Sequence, residues 1–101
     1  MASRRVGLIA DTHGLLRPEA VQALQGSDLI IHAGDIGKAA VLRTLQAVAP
    51  VTAVRGNIDK GAWAQALPQT AALQIAGVWL YVIHDLQDPD LVGGDVAWFV
   101  L

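Results

Sequence analysis

The chain has 101 residues, no cysteine, and seven basic against nine acidic side chains, for a net charge of −2. Its length allows one domain, and its 53% hydrophobic content excludes intrinsic disorder. The missing cysteines exclude a disulfide scaffold, a thiolate zinc site and a cysteine nucleophile, and the mildly acidic balance argues against nucleic acid or an anionic membrane as the main partner.

Val6 to Ala10 is a short apolar run that ends at Asp11. Leu29 to Ala33 is a second, ending at Gly34-Asp35, and Val51 to Val54 a third, ending at Arg55-Gly56-Asn57. Runs of this length between glycines and polar residues predict strands buried on both faces. The first intervening segment opens on Arg17-Pro18-Glu19 and stops at Gly26, which predicts a helix. The second, from about Lys38 to Val48, carries Val41, Leu42, Leu45 and Val48 on one stripe and is closed by Pro50. A β-α-β-α-β order predicts a parallel sheet covered by helices. Ala71–Ile75 and Val78–Ile83 flank Ala76-Gly77 and predict an antiparallel hairpin. Irregular chain is expected through Asp88-Pro89-Asp90 and Gly93-Gly94-Asp95, followed by the apolar segment Val96 to Leu101.

No apolar run reaches membrane-spanning length: the uncharged stretch Gly61–His84 is broken by Gln65, Pro68, Gln69, Thr70, Gln74 and Gly77. The start, MASRR before VGLIAD, has too short an apolar region for a signal peptide. A cytoplasmic location is the expectation.

Polar residues collect where the apolar runs end. Asp11 and His13 follow the first strand, Asp35 the second, Asn57 the third, and His84 with Asp85 the hairpin. Carboxyl ends of parallel strands open at one edge of a sheet, where ligands of open α/β folds bind. Two carboxylates, two imidazoles and an amide suit a divalent metal of intermediate hardness, such as manganese, iron or zinc. Asp11 and His13, two apart on extended chain, can reach one ion. Asp35 can bridge it to a second, to which Asn57 offers a carbonyl oxygen and His84 a nitrogen. Gly34 and Gly56 precede Asp35 and Asn57, where glycine permits a sharp turn or the close approach of a phosphate.

Each of these residues also has a plainer reading. Asp35 could cap the following helix, and Asn57 could be a left-handed turn residue. Asp59 reads as the cap of a short helix after it, Asp85 as a supporting or loop residue, and His32 as a histidine hydrogen-bonded beneath the site. Arg55 either faces an anionic substrate or is a solvated or structural arginine. Trp63, Trp79, Tyr81, Trp98 and Phe99 form no ladder suited to base stacking and read as core or interface.

The order Asp11-Thr12-His13-Gly14, Gly34-Asp35, Gly56-Asn57-Ile58-Asp59 and His84 resembles the calcineurin-like metallophosphoesterases. It is most similar to their small bacterial and archaeal phosphodiesterase branch, which includes a eukaryotic retromer subunit. The resemblance spans Val6 to about Asp85 and implies an α/β/β/α sandwich, with residues 1–101 as a single, incomplete phosphoesterase domain truncated at its C-terminal end. It implies hydrolysis of phosphate diesters or monoesters by a metal-activated water at two divalent ions, manganese first, with zinc, iron, nickel or magnesium as substitutes. Asp11 and His13 would hold the first ion, Asp35 both, and Asn57 and His84 the second. Asp35, Asn57 and His84 would be the catalytic set, with Arg55 and Asn57 on the substrate, a small phosphate ester.

The chain departs from the family pattern in three places. The closing Gly-His-x-His segment is absent, the histidines being His13, His32 and His84. Ile58 stands where many members carry a histidine after Gly-Asn. The family's closing strands and last helix have no counterpart. Each ion would then lack an imidazole, and impaired activity is expected. A non-catalytic interaction scaffold of the same fold, or a truncated gene product, is the alternative. An open apolar edge is also expected, with a homo-oligomer formed through the Leu73–Ile83 hairpin and the Val96–Leu101 tail.

Overall fold

The structure is a computed structural model that describes residues 4–84 and 96–100. Three strands, β1 (Arg5–Ile9), β2 (Leu29–His32) and β3 (Val51–Ala53), pair in parallel in the order β3-β2-β1. Their register sets Val6 beside Leu29 and Ile30 beside Val51. The connections carry α1 (Pro18–Ala23) and α2 (Ala39–Gln46), so the crossovers are helical as expected. Pro18 stands in the first turn of α1 and Glu19 follows it there, a pairing that suits an end rich in free N–H groups. A short α3 (Ala62–Gln65) precedes the hairpin of β4 (Thr70–Ile75) and β5 (Val78–Ile83). The hairpin turn has positive φ at both Ala76 (51°) and Gly77 (79°), the handedness that matches strand twist in a two-residue loop.

Alternation along the strands separates two cores. Ile9, Ile30 and Ala53 face Ala20, Leu24, Val41 and Leu45 of the helical layer. Val6, Ile31 and Val54 face Val82, with Leu73, Ile75 and Leu80 of the hairpin packed around them. The hairpin therefore lies on one face of the main sheet and the helices on the other. The result is a mixed α/β fold of helical layer, parallel sheet and antiparallel sheet. Each fully buried side chain of Leu or Ile size contributes about 1.5–3 kcal/mol, and Ile9, Leu24, Ile30, Ile36 and Leu45 are all of this kind.

The apolar tail forms a further strand of the main sheet. The strand β6 (Val96–Val100) runs antiparallel beside β1, from Arg5↔Val100 to Ile9↔Val96, as the fourth strand of the main sheet. The free N–H and C=O groups along the edge of β1 account for this: a five-residue extended segment satisfies them, whereas an association surface beside the hairpin would leave them open. Among the described residues, no helix is long and apolar enough to cross a membrane.

Candidate metal centre

The site lies at the carboxyl ends of β1, β2, β3 and β5. Three of its residues hold backbone conformations that L-residues seldom adopt: Asp11 (φ 55°), His13 (φ 51°) and Asp35 (φ 54°). Left-handed backbone at a non-glycine residue costs roughly 1–2 kcal/mol, and such cost persists where surrounding structure enforces it. Here the loops after β1 and β2 enforce it on each other. Asp11 N–H donates to the Gly34 carbonyl at 2.9 Å, His13 N–H to that of Asp35 at 3.0 Å, and Gly14 N–H to that of Ile36 at 2.7 Å.

One carboxylate oxygen each from Asp11 and Asp35 and one ring nitrogen of His84 lie within 4.8 Å of one another. His84 Nε2 is 3.3 Å from Asp35 Oδ2. Its other nitrogen, Nδ1, is 3.0 Å from the Ala33 carbonyl, which can only accept, so Nδ1 carries the proton. With Nδ1 so engaged, Nε2 is the ring nitrogen turned toward the carboxylates, and in the neutral ring it offers the lone pair through which imidazole binds metals. Asp35 Oδ1 accepts from Ile58 N–H at 3.1 Å, which leaves Oδ2 turned toward the histidines. Asp11 Oδ2 is buried and has no hydrogen-bond partner. Burial pushes the Asp11 carboxyl above its usual value; His84 pulls it down and Asp35 pushes it up further. A buried carboxylate oxygen without a donor, beside a second carboxylate and a preset imidazole, is a donor set that a divalent cation fits.

His13 stands at the open side, its side chain 55% exposed, with Nε2 at 3.9 Å from Asp11 Oδ1 and 3.8 Å from Asp35 Oδ2. Asn57 is exposed on the wall of a cavity of about 660 Å³ that Arg55, Gly56 and His84 also line. Asp85 lies outside the described residues. Asp35 does not cap α2, whose N-cap position is Lys38; the carboxylate is engaged by Ile58 N–H instead.

Gly34 and Gly56 make room for protein groups. A Cβ on Gly34 would come within 2.9 Å of His84 Cβ, Cγ and Nδ1, and one on Gly56 would overlap Asp35 N and Oδ1. Asp59 is not a helix cap either, since α3 begins after Gly61 without a side-chain cap. Its buried carboxylate accepts from Ile36 N–H (3.1 Å), Gly37 N–H (2.8 Å) and Gly56 N–H (2.8 Å), and so ties the loop of Asp35 to the loop of Asn57. One signal of this role is in the sequence: an Asp three residues after a glycine can turn back to that glycine's N–H.

Thr12, between two candidate ligands, is a second residue that spacing did not single out. His32 Nδ1 accepts from Gly34 N–H at 3.1 Å, so the proton sits on Nε2, which donates to Thr12 Oγ1 at 3.0 Å. Thr12 Oγ1 in turn donates to the Ile36 carbonyl at 2.9 Å. Burial lowers the His32 pKa to about 4 and keeps the ring neutral. As expected, His32 supports the site from beneath.

Residues 5–95 match the model of the calcineurin-like phosphoesterase superfamily domain. Two archaeal proteins named "Probable metallophosphoesterase" are similar. The one from Methanothermobacter thermautotrophicus is 36% identical over 84 residues, covering 78% of this chain and 48% of its own length. The one from Methanocaldococcus jannaschii is 38% identical over 84 residues, covering 78% and 42%. The chain thus spans about half the length of the curated relatives it matches. In three dimensions it is similar to Vps29 of Chaetomium thermophilum, with TM-score 0.71, 18% identity, and coverage of 86% of this chain and 52% of that one. It is also similar to the Escherichia coli phosphoesterase YfcE, with TM-score 0.58, 21% identity, and coverage of 85% and 60%. At such identities these likenesses establish the fold, whereas the family match and the archaeal relatives go further: this chain belongs to the calcineurin-like phosphoesterase superfamily.

Proposed function

We propose that the chain forms the metal-binding part of a phosphoesterase that hydrolyses phosphate diesters or monoesters with two divalent ions, manganese first among them. In this reading Asp11 and His13 hold one ion, Asp35 is shared, and Asn57 and His84 hold the other. Residues 1–101 act as one domain unit, and the cysteine-free composition supports a cytoplasmic setting. The carrying observation is the convergence of Asp11, Asp35 and His84 donor atoms within 4.8 Å around a buried, unpartnered carboxylate oxygen. Divalent cations held there supply Lewis-acid charge that activates both water and a phosphate ester. The Ala33 carbonyl orients the His84 ring, and Ile58 N–H orients the Asp35 carboxylate. Arg55 and Asn57, on the adjoining cavity wall, meet the anionic substrate.

The test is calorimetric titration with manganese alongside hydrolysis of bis-p-nitrophenyl phosphate. Saturable binding and chelator-sensitive turnover are expected, with binding abolished and turnover reduced about a hundredfold or more in Asp35→Asn. Turnover that survives unchanged in Asp11→Ala overturns the reading.

A second reading, a surface for association, is supported by the outer face of β5. Trp79, Tyr81 and Ile83 are 61%, 81% and 66% exposed there. We propose that a second copy of the chain covers this face. Its cross-strand neighbours Gln74, Ala72 and Thr70 are uncharged, so two copies meet without like-charge repulsion.

A further inference from the structure

The cavity beside His84 measures about 660 Å³, far more than one phosphate group needs. Its size falls in the range of sites that enclose a whole small molecule, roughly 300–1,000 Å³. Beyond the Asn57–His84 side, its wall is built from Arg55, Lys60, Gln65, Gln69 and Thr70. Neutral hydrogen-bonding groups and two cations therefore face the space that the rest of the substrate would fill.

The charge balance of this wall is one-sided. Asp59 is the acidic residue that lines the cavity, and its two oxygens are taken by Ile36, Gly37 and Gly56 N–H groups. Among the described residues, neither Arg55 nor Lys60 is paired with a carboxylate. A third cation, Lys38, lays its stem along Gly14, next to His13. On the cavity wall itself Arg55 and Lys60 stand against Asp59 alone, a local excess of positive charge in a chain whose net charge is −2. Clefts lined by one sign of charge concentrate ligands of the other.

We propose that the substrate carries a second anionic group, apart from the phosphate ester, and that Arg55 and Lys60 receive it. This rests on the phosphoesterase reading above and adds the substrate class: polar, hydroxylated phosphate esters with a further carboxylate or phosphate. A nucleobase is a poorer fit, since among the described residues the wall holds no Trp, Tyr or Phe ring to stack it.

A matched pair of probes tests this. 3-Phosphoglycerate and glycerol 3-phosphate share a three-carbon skeleton and differ by a carboxylate in place of an alcohol. Binding of each to the manganese-loaded chain is measured by calorimetry. The carboxylate-bearing ester should bind about tenfold tighter, as one charge-assisted contact gives. The ratio should fall below about threefold in Lys60→Gln and in Arg55→Gln, and should also shrink in 0.5 M salt, roughly as screening predicts. Equal affinity of the two esters in the unsubstituted chain overturns the inference and leaves the phosphoesterase reading standing. A preference that survives both substitutions overturns the roles of Arg55 and Lys60. Failure to bind manganese or either ester overturns both readings together.

Discussion

Gly56 stands against Asp35 so closely that any side chain there would displace the carboxylate: a Cβ would overlap both the Asp35 N and Oδ1. The glycine and the carboxylate lie on different strand ends, 21 residues apart in numbering, yet they set one another's identity. Gly56 N–H is also held by Asp59 Oδ2, so the backbone has little freedom to retreat.

Gly56→Ala should therefore destabilise the fold by about 1–3 kcal/mol, the usual range for overpacking, and should lower manganese affinity at least tenfold. Urea unfolding and calorimetric titration on the same preparation check this. Unchanged affinity would show that the Asp35 carboxylate does not need its present position.

Asp59 offers a sharper case. Removing its carboxylate leaves three buried or half-buried N–H groups without their acceptor. At roughly 1–3 kcal/mol for each such loss, with partial recovery by water, Asp59→Ala should cost about 3 kcal/mol or more. Asp59→Asn keeps one acceptor oxygen and should cost less. Equilibrium unfolding of both variants gives the comparison, and a cost for Asp59→Ala below about 1 kcal/mol would contradict the proposed tie between the two loops.

His32 makes stability depend on pH. Burial depresses its folded pKa to about 4, below the ordinary histidine value of 6.5. Between these values the unfolded chain binds a proton that the folded chain refuses. Its contribution is full above pH 6.5 and is lost as pH falls toward 4, by about 3 kcal/mol at most. Asp11 acts in the opposite sense at the acid end, because its folded carboxyl titrates above its usual value. Chemical unfolding from pH 7 to pH 4 with chelator present should show falling stability, and His32→Gln should flatten the slope. A flat profile in the unsubstituted chain would refute the neutral, buried assignment.

Association should proceed through the outer face of β5. At micromolar concentration, light scattering should give at least twice the 10.6 kDa chain mass. The double substitution Trp79→Lys, Tyr81→Lys should return the single-chain mass with the fold intact, since both side chains are exposed. A single-chain mass before any substitution would contradict the proposed contact.

The three apolar runs ending at Asp11, Asp35 and Asn57 were enough to read a parallel sheet with its polar residues at one edge, because a short continuous apolar segment is stable only when buried on both faces. Pro18 and Gly26 marked α1, and Ala76-Gly77 marked the hairpin, because proline and glycine restrict or free φ whatever surrounds them. These are local properties, legible one segment at a time. Tertiary structure decided the rest. That Asp59 ties two loops, that Gly34 and Gly56 yield space to His84 and Asp35, and that Thr12 links His32 to Ile36 depend on atoms brought together from separate strands. The place of the tail belongs here too: Val96–Val100 is apolar and extended in any reading, but its partner is chosen by which strand edge stands open, and that edge belongs to β1.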